Sequence, residues 1–140
     1  MICPACGSAM EAPSFERRYG RRLTIDVCHQ CQCLWFDDQE FLQMTPGATL
    51  QLVASVAEDK GTTRQRWMAA PKCPRCSRAL AETHDIQRNT RFTYYRCPEG
   101  HGRFITYYHF LRAKDFLRPL RADEVRELRE RIQQIKCANC

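Results

Sequence analysis

Eight residues of this chain stand in four pairs at metal-ligand spacing. Cys3 and Cys6 form C-P-x-C, and Cys28 and Cys31 form a second C-x-x-C. Cys73 and Cys76 repeat C-P-x-C, and Cys97 is followed four positions later by His101. A C-x-x-C pair folds as a tight knuckle that aims two thiolates at one point, and two knuckles together close a tetrahedron. The spacing therefore predicts two Zn2+ sites, one on Cys3, Cys6, Cys28 and Cys31, the other on Cys73, Cys76, Cys97 and His101. Gly100 and Gly102 allow the wider C-x3-H turn. His109 is the substitute fourth ligand, while His29 and His84 read as bystanders. Cys33 is surplus: a small buried thiol beside its knuckle, or an alternative ligand or redox-sensitive group. Cys137 and Cys140 make half a site. The expectation is that the natural chain continues into a third such unit, with an open or intermolecular site, or a spare pair, as alternatives.

Four protein donors saturate zinc, so neither complete site keeps a position for water or substrate. With no nucleophile-and-base motif and no Gly-rich phosphate loop, the sequence predicts no enzyme. Composition agrees with a metal staple. The 140 residues include ten Cys, but Leu, Ile, Val, Phe and Trp are too thinly spread for one large core. Small domains of that kind need disulfides or metal. No apolar run of about 18 residues suggests a membrane span, and no basic start with an apolar run suggests a secretory signal. The expected compartment is the cytoplasm, where thiols stay reduced and paired Cys bind metal.

Positioning those ligands requires hairpins. The interval is 21 residues from Cys6 to Cys28 and 20 from Cys76 to Cys97, which marks an internal repeat over roughly 1–44 and 71–110. In the first copy Tyr19-Gly20 is the turn, and Leu23, Ile25 and Val27 alternate on the returning strand. In the second, Arg88-Asn89-Thr90 turns into a β-prone run from Arg91 to Arg96. Asp37 reads as an N-cap with Glu40 completing a capping box, for a short helix to about Met44. Thr45-Pro46 opens another helix over about 46–59, with Leu52, Val53, Val56 and Ala57 on one side and Gly61 at its end. Residues 61–71 read as a linker. Val125, Leu128, Ile132 and Ile135 mark a helix over about 121–136, with Glu127 and Arg131 as an i,i+4 pair.

The run Cys28-His-Gln-Cys31-Gln-Cys-Leu-Trp35-Phe-Asp37-Asp-Gln-Glu40, after the C-P-x-C of Cys3 and Cys6, resembles the TFIIB-type zinc ribbon family. That family's pattern is C-P-x-C, then C-x-x-C-G-G-x-W-L-D-x-G-E. The resemblance rests on Cys3, Cys6, Cys28, Cys31, Trp35, Asp37 and Glu40, over about residues 1–44. Gln32 and Cys33 replace the paired glycines, and Gln39 the last one. The second repeat is similar as a diverged copy, with Phe104 in the place of Trp35. The resemblance implies a zinc-ribbon fold and metal binding, and supplies no reaction. The expected fold is a small metal-stabilised α+β protein of two tandem zinc ribbons, hairpin or three-stranded, with connecting and C-terminal helices. The expected division is a ribbon over 1–44, a helical segment and linker over 45–70, a second ribbon over 71–118, an amphipathic helix over 119–136, and a first knuckle of a third ribbon over 137–140.

Charge suggests partners. The formal charge is +6, split as four Arg against eight acids over 1–59 and 18 Lys or Arg against eight acids over 60–140. Arg88, Arg91 and Arg96 interleave with Phe92, Tyr94 and Tyr95, as a single-stranded nucleic-acid surface would require. If Phe92 covers the core, Tyr94 does too, and Tyr95 is the stacking residue. The first expectation is thus a nucleic-acid-binding or transcription-associated module. The rival is a protein-interaction adaptor using the ribbon faces and the 121–136 helix, which also offers a dimer contact. A third reading is a rubredoxin-like iron electron carrier, against which His101 stands.

Overall fold

The computed structural model describes residues 1–57, 67 and 70–131. Strands β1 (Ser14–Glu16) and β2 (Arg22–Thr24) pair antiparallel with Phe15 opposite Leu23. Their connection carries Tyr19 and Gly20 at φ 65° and 66°, so the turn sits where Tyr19-Gly20 placed it. The returning strand breaks at Ile25, whose N–H donates to the Pro13 carbonyl at 3.1 Å. Beyond that break β3 (Asp26–Cys28) joins a different sheet. Leu23, Ile25 and Val27 are all buried, as their alternation required.

The main sheet is antiparallel in the order β3-β4-β7-β6-β5, with β4 (Cys33–Asp37), β5 (Ala81–Gln87), β6 (Thr90–Arg96) and β7 (Gly102–Thr106). The repeat in the cysteine spacing is a repeat in backbone pairing. The bridge Ile2↔Ala9 recurs 70 positions on as Lys72↔Ala79. The Cys3 N–H donates to Ser8 and the Cys73 N–H to Arg78, both at 2.8 Å. Asp26 faces Trp35 and, 69 positions on, Tyr95 faces Phe104. The two units do not stand apart as successive beads. β4 of the first pairs with β7 of the second along Cys33↔Thr106 to Asp37↔Gly102, making one sheet.

Because strand side chains alternate, this sheet separates two cores. Leu34, Phe36, Phe92, Tyr94 and Ile105 face the helices and pack with Phe41, Leu52 and Phe110. Cys28, Cys33, Trp35 and Phe104 face the other way and pack with the knuckle cysteines, Met10 and Leu80. Burying each large apolar side chain contributes about 1.5–3 kcal/mol. Gly102 sits at φ 150°, where an added Cβ would lie 2.3 Å from the Phe36 carbonyl oxygen and 2.8 Å from Trp35 Cζ2. Only glycine lets β7 approach β4 there.

The helices partly revise the sequence reading. Asp37 is not an N-cap. Helix α1 (Glu40–Gln43) starts after Gln39, which is left-handed at φ 63°, and Asp37 is instead the last residue of β4. The reciprocal half of the capping box does form: the Asp37 N–H donates to the Glu40 carboxylate at 2.8 Å. Thr45 caps α2 (Pro46–Ala57), its hydroxyl accepting from the Ala48 N–H at 3.1 Å. Gly61 lies outside the described residues. An unforeseen helix, α3 (Tyr107–Ala113), follows β7, capped where the Thr106 hydroxyl accepts from the His109 N–H at 3.2 Å. Its first four residues, Tyr107 to Phe110, are mediocre helix formers, but Phe110 is fully buried, and packing overrides propensity there. Trp67 falls within the expected linker yet covers Tyr95 and Phe104 at 5.2 and 5.6 Å between ring centres. Helix α4 (Ala122–Arg131) bears Val125 half-buried and Leu128 exposed. Ile132, Ile135 and the Arg131 side chain lie outside the described residues. Among the described residues no helix is long and apolar enough to cross a membrane.

Candidate metal centres

Each set of four predicted ligands converges. The donor atoms of Cys3, Cys6, Cys28 and Cys31 lie within 4.8 Å of one another, as do those of Cys73, Cys76, Cys97 and His101. Cys3 Sγ stands 3.5 Å from Cys31 Sγ, and Cys6 Sγ 3.5 Å from Cys28 Sγ. In the second cluster Cys76 Sγ is 3.7 Å from Cys97 Sγ, and His101 Nδ1 is 3.7 Å from Cys73 Sγ and 3.5 Å from Cys97 Sγ. A tetrahedral ion held by thiolates at about 2.3 Å sets its sulfurs about 3.8 Å apart. A disulfide would need about 2.05 Å, and these cysteines are free. The donor sets therefore fit one four-coordinate metal ion each.

Local backbone makes the knuckles. The Gly7 N–H returns to the Cys3 carbonyl at 3.1 Å, and the Ser77 N–H to the Cys73 carbonyl at 2.8 Å. Both turns need a left-handed residue, Gly7 at φ 74° and Ser77 at φ 60°. The fourth knuckle has an extra residue and takes it up at Gly100, φ 77°, whose N–H donates to the Cys97 carbonyl at 3.0 Å.

The clusters invite a cation. Thiol hydrogen bonds from Cys3 and Cys31 hold Cys28 down to about 2, and the Cys28 thiolate in turn pushes Cys3 and Cys31 up. At Cys97 burial pushes upward, but the His101 and Glu99 N–H groups and the neighbouring thiols bring it to about 6. In each cluster one thiol is thus drawn below its ordinary value by its neighbours, the direction that favours binding a cation. The first cluster is wholly buried, whereas Cys76 and His101 leave the second half-exposed.

The remaining candidates are elsewhere. Cys33 belongs to neither cluster. It is buried, with its thiol 3.4 Å from the Cys31 carbonyl. His109 is not a ligand: its Nδ1 accepts from the Thr93 N–H at 3.1 Å, closing the β6 edge that β7 leaves as it turns into α3. His84 meets Thr93 Oγ1 at 3.1 Å, and His29 lies 3.4 Å from Glu11. Cys137 and Cys140 lie outside the described residues.

Arg75, between the ligands Cys73 and Cys76, was not foreseen. Both Asp37 oxygens accept from it, and Asp37 Oδ1 also accepts from Trp35 Nε1 at 2.8 Å. This contact ties the first knuckle of the second unit to the first unit. A lone Arg inside a knuckle carries no sequence signal of such a partner.

The predicted nucleic-acid residues do not share a surface. Arg91 and Arg96 fall on opposite faces of β6, since they are five positions apart. Arg88 is paired with Asp115 at 2.7 Å. Phe92 and Tyr94 are core, while Tyr95 lies under Trp67 with its hydroxyl 3.3 Å from Glu82.

No curated protein and no solved structure matches the chain. Residues 2–45, which hold the first four-cysteine cluster and the run from Trp35 to Glu40, match the family model of the transcription factor zinc-finger, the TFIIB-type zinc ribbon.

Proposed function

We propose that the protein is a non-enzymatic, zinc-stabilised module that binds a protein partner. Zinc suits both donor sets, thiolate with or without one imidazole, and with four protein ligands it supplies folding energy rather than an open coordination position. The matched family's name supports a partner in the transcription machinery. The observation that carries the protein-binding reading is a group of exposed apolar side chains on either side of Met44, with Arg17 and Gln43 among them. Leu42 is 74% exposed and Leu50 57%, and with Tyr19 and Phe116 they line two clefts that share Met44. Clustered exposed apolar side chains rimmed by polar ones mark interaction sites. The dispersal of Arg88, Arg91, Arg96 and Tyr95 speaks against the single-strand surface.

Site-specific photocrosslinking in cells tests this. A benzophenone side chain at Leu42 or Leu50 should yield discrete protein adducts that the same group at exposed Ile86 does not. Crosslinks to nucleic acid, or adducts identical at all three positions, would refute the reading.

A further inference from the structure

Beside these apolar side chains lies an uncompensated positive cluster. Arg96 and Arg103 sit directly opposite each other on β6 and β7, so both project from the same face. Like charges in that position destabilise a sheet. The Arg103 guanidinium is held between two rings, its carbon 4.9 Å from the Tyr94 centroid and 5.1 Å from that of Phe41. Lys114 Nζ lies 4.0 Å from the same Phe41 ring and donates to the Phe41 carbonyl at 2.9 Å. Among the described residues, Arg75, Arg78, Arg88, Arg118 and Arg121 each have a carboxylate within 4.0 Å, whereas Arg96, Arg103 and Lys114 have none. Asp38 borders the same shallow hollow as Arg96 and Arg103 without pairing to either. Three cations are gathered on one rim, one wedged between rings, and among the described residues no carboxylate pairs with any of them.

Lys114 also walls the cleft of 340 Å³ formed by Met44, Pro46, Thr49, Leu50 and Phe116. Apolar recess and positive rim therefore meet at one side chain. We propose that this face binds an acidic amphipathic segment of a partner protein, an apolar side chain entering the Leu50–Phe116 cleft and its carboxylates reaching Lys114, Arg103 and Arg96. The inference rests on the protein-binding reading above and names the partner's chemistry. Carboxylates satisfy the guanidiniums in bidentate fashion, and apolar anchors supply the affinity that charge alone does not. A nucleic acid fits the face less well. Stacking needs an open ring, and Phe41 and Tyr94 are buried with Arg103 already between them.

The test is fluorescence anisotropy of the zinc-loaded full chain with a labelled peptide of interspersed Asp, Leu and Phe. The control is the same peptide with Asn for Asp. The acidic peptide should bind and the control should not. Arg96→Gln and Leu50→Asp both alter exposed side chains; the first should weaken binding about two- to fivefold, as expected for one lost exposed charge, and the second at least about tenfold, as expected for a lost anchor. Equal binding of the two peptides overturns the proposal. So does tighter binding of a single-stranded oligonucleotide that Arg96→Gln abolishes, or self-association by light scattering that Leu50→Asp removes. If the acidic peptide fails while Leu42 or Leu50 still crosslinks to protein, the partner chemistry is wrong and the protein-binding reading stands. If both fail, both readings fall.

Discussion

Trp35 and Phe104 face each other across the β4–β7 pair, both with no exposed surface, and they are equivalent positions of the two repeats. A residue ahead of Trp35 pairs with one behind Phe104, so an approximate two-fold axis passes between the two rings. The repeats meet as a symmetric dimer would, isologously, but inside one chain. The rings back onto both metal clusters in one continuous core. Neither unit can lose its ligands without disturbing the wall it shares with the other.

Ligand loss should therefore propagate. Structural zinc is worth about 10–16 kcal/mol apparent, against a typical domain stability of about 5–15 kcal/mol. Cys28→Ser or Cys97→Ser should lower zinc content by elemental analysis and reduce amide-exchange protection in both units together. Protection lost only in the mutated unit would show that the shared sheet does not couple them. Cys33→Ser should keep both metals, because that thiol stands outside the four-cysteine cluster and donates to the Cys31 carbonyl.

Phe104→Ala should cost about 3–5 kcal/mol in urea unfolding, the usual effect of emptying a buried aromatic site. Since Phe104 ligates nothing, zinc content should remain that of the wild type. A change below about 1 kcal/mol would mean that the paired rings carry little of the core.

Gly102→Ala should destabilise by at least the 1–3 kcal/mol, roughly, of ordinary overpacking. The new Cβ meets the Phe36 backbone oxygen, which cannot swing aside as a side chain would. Gly20→Ala is the comparison: its φ of 66° lies in the left-handed region that alanine can enter at modest cost, and it has open space around it, so its effect should be clearly the smaller. Equal effects of the two would show that neither the close approach to Phe36 nor the φ of 150° at Gly102 constrains the fold.

Burial first, and the Arg103 charge second, push Lys114 from its ordinary 10.5 down to about 8. The folded protein thus releases this proton before the unfolded chain does. Between about pH 8 and 10.5 the unfolded state binds more protons, and stability contributed by this group rises with pH. Below that window the full penalty of the buried charge applies. Subtracting the stability of Lys114→Met from that of the wild type should give a difference that climbs from pH 8 to 10. A flat difference would show that Lys114 titrates normally.

The ligand sets were legible in the sequence because knuckle chemistry is local. Two thiols three positions apart with Gly7 to reverse the chain, or a thiol and an imidazole four apart with Gly100, converge whatever surrounds them. Hairpin faces were legible for the same reason: Leu23, Ile25 and Val27 alternate, and alternation dictates which side is buried. Pairing between distant segments carries no such local mark. Nothing along the chain announces that β4 takes β7 as its neighbour, that Asp37 answers Arg75 rather than capping a helix, or that Trp67 leaves the linker to cover Tyr95. Helix α3 opens on four weak helix formers, Tyr107 to Phe110, and is held there because Phe110 finds a core to fill. The sequence by itself determined where the metal ligands lie and which strand faces are apolar. The tertiary structure decided that the two halves share one sheet, because two one-sided units each had an unpaired strand edge and an uncovered aromatic ring, and joining them satisfied both at once.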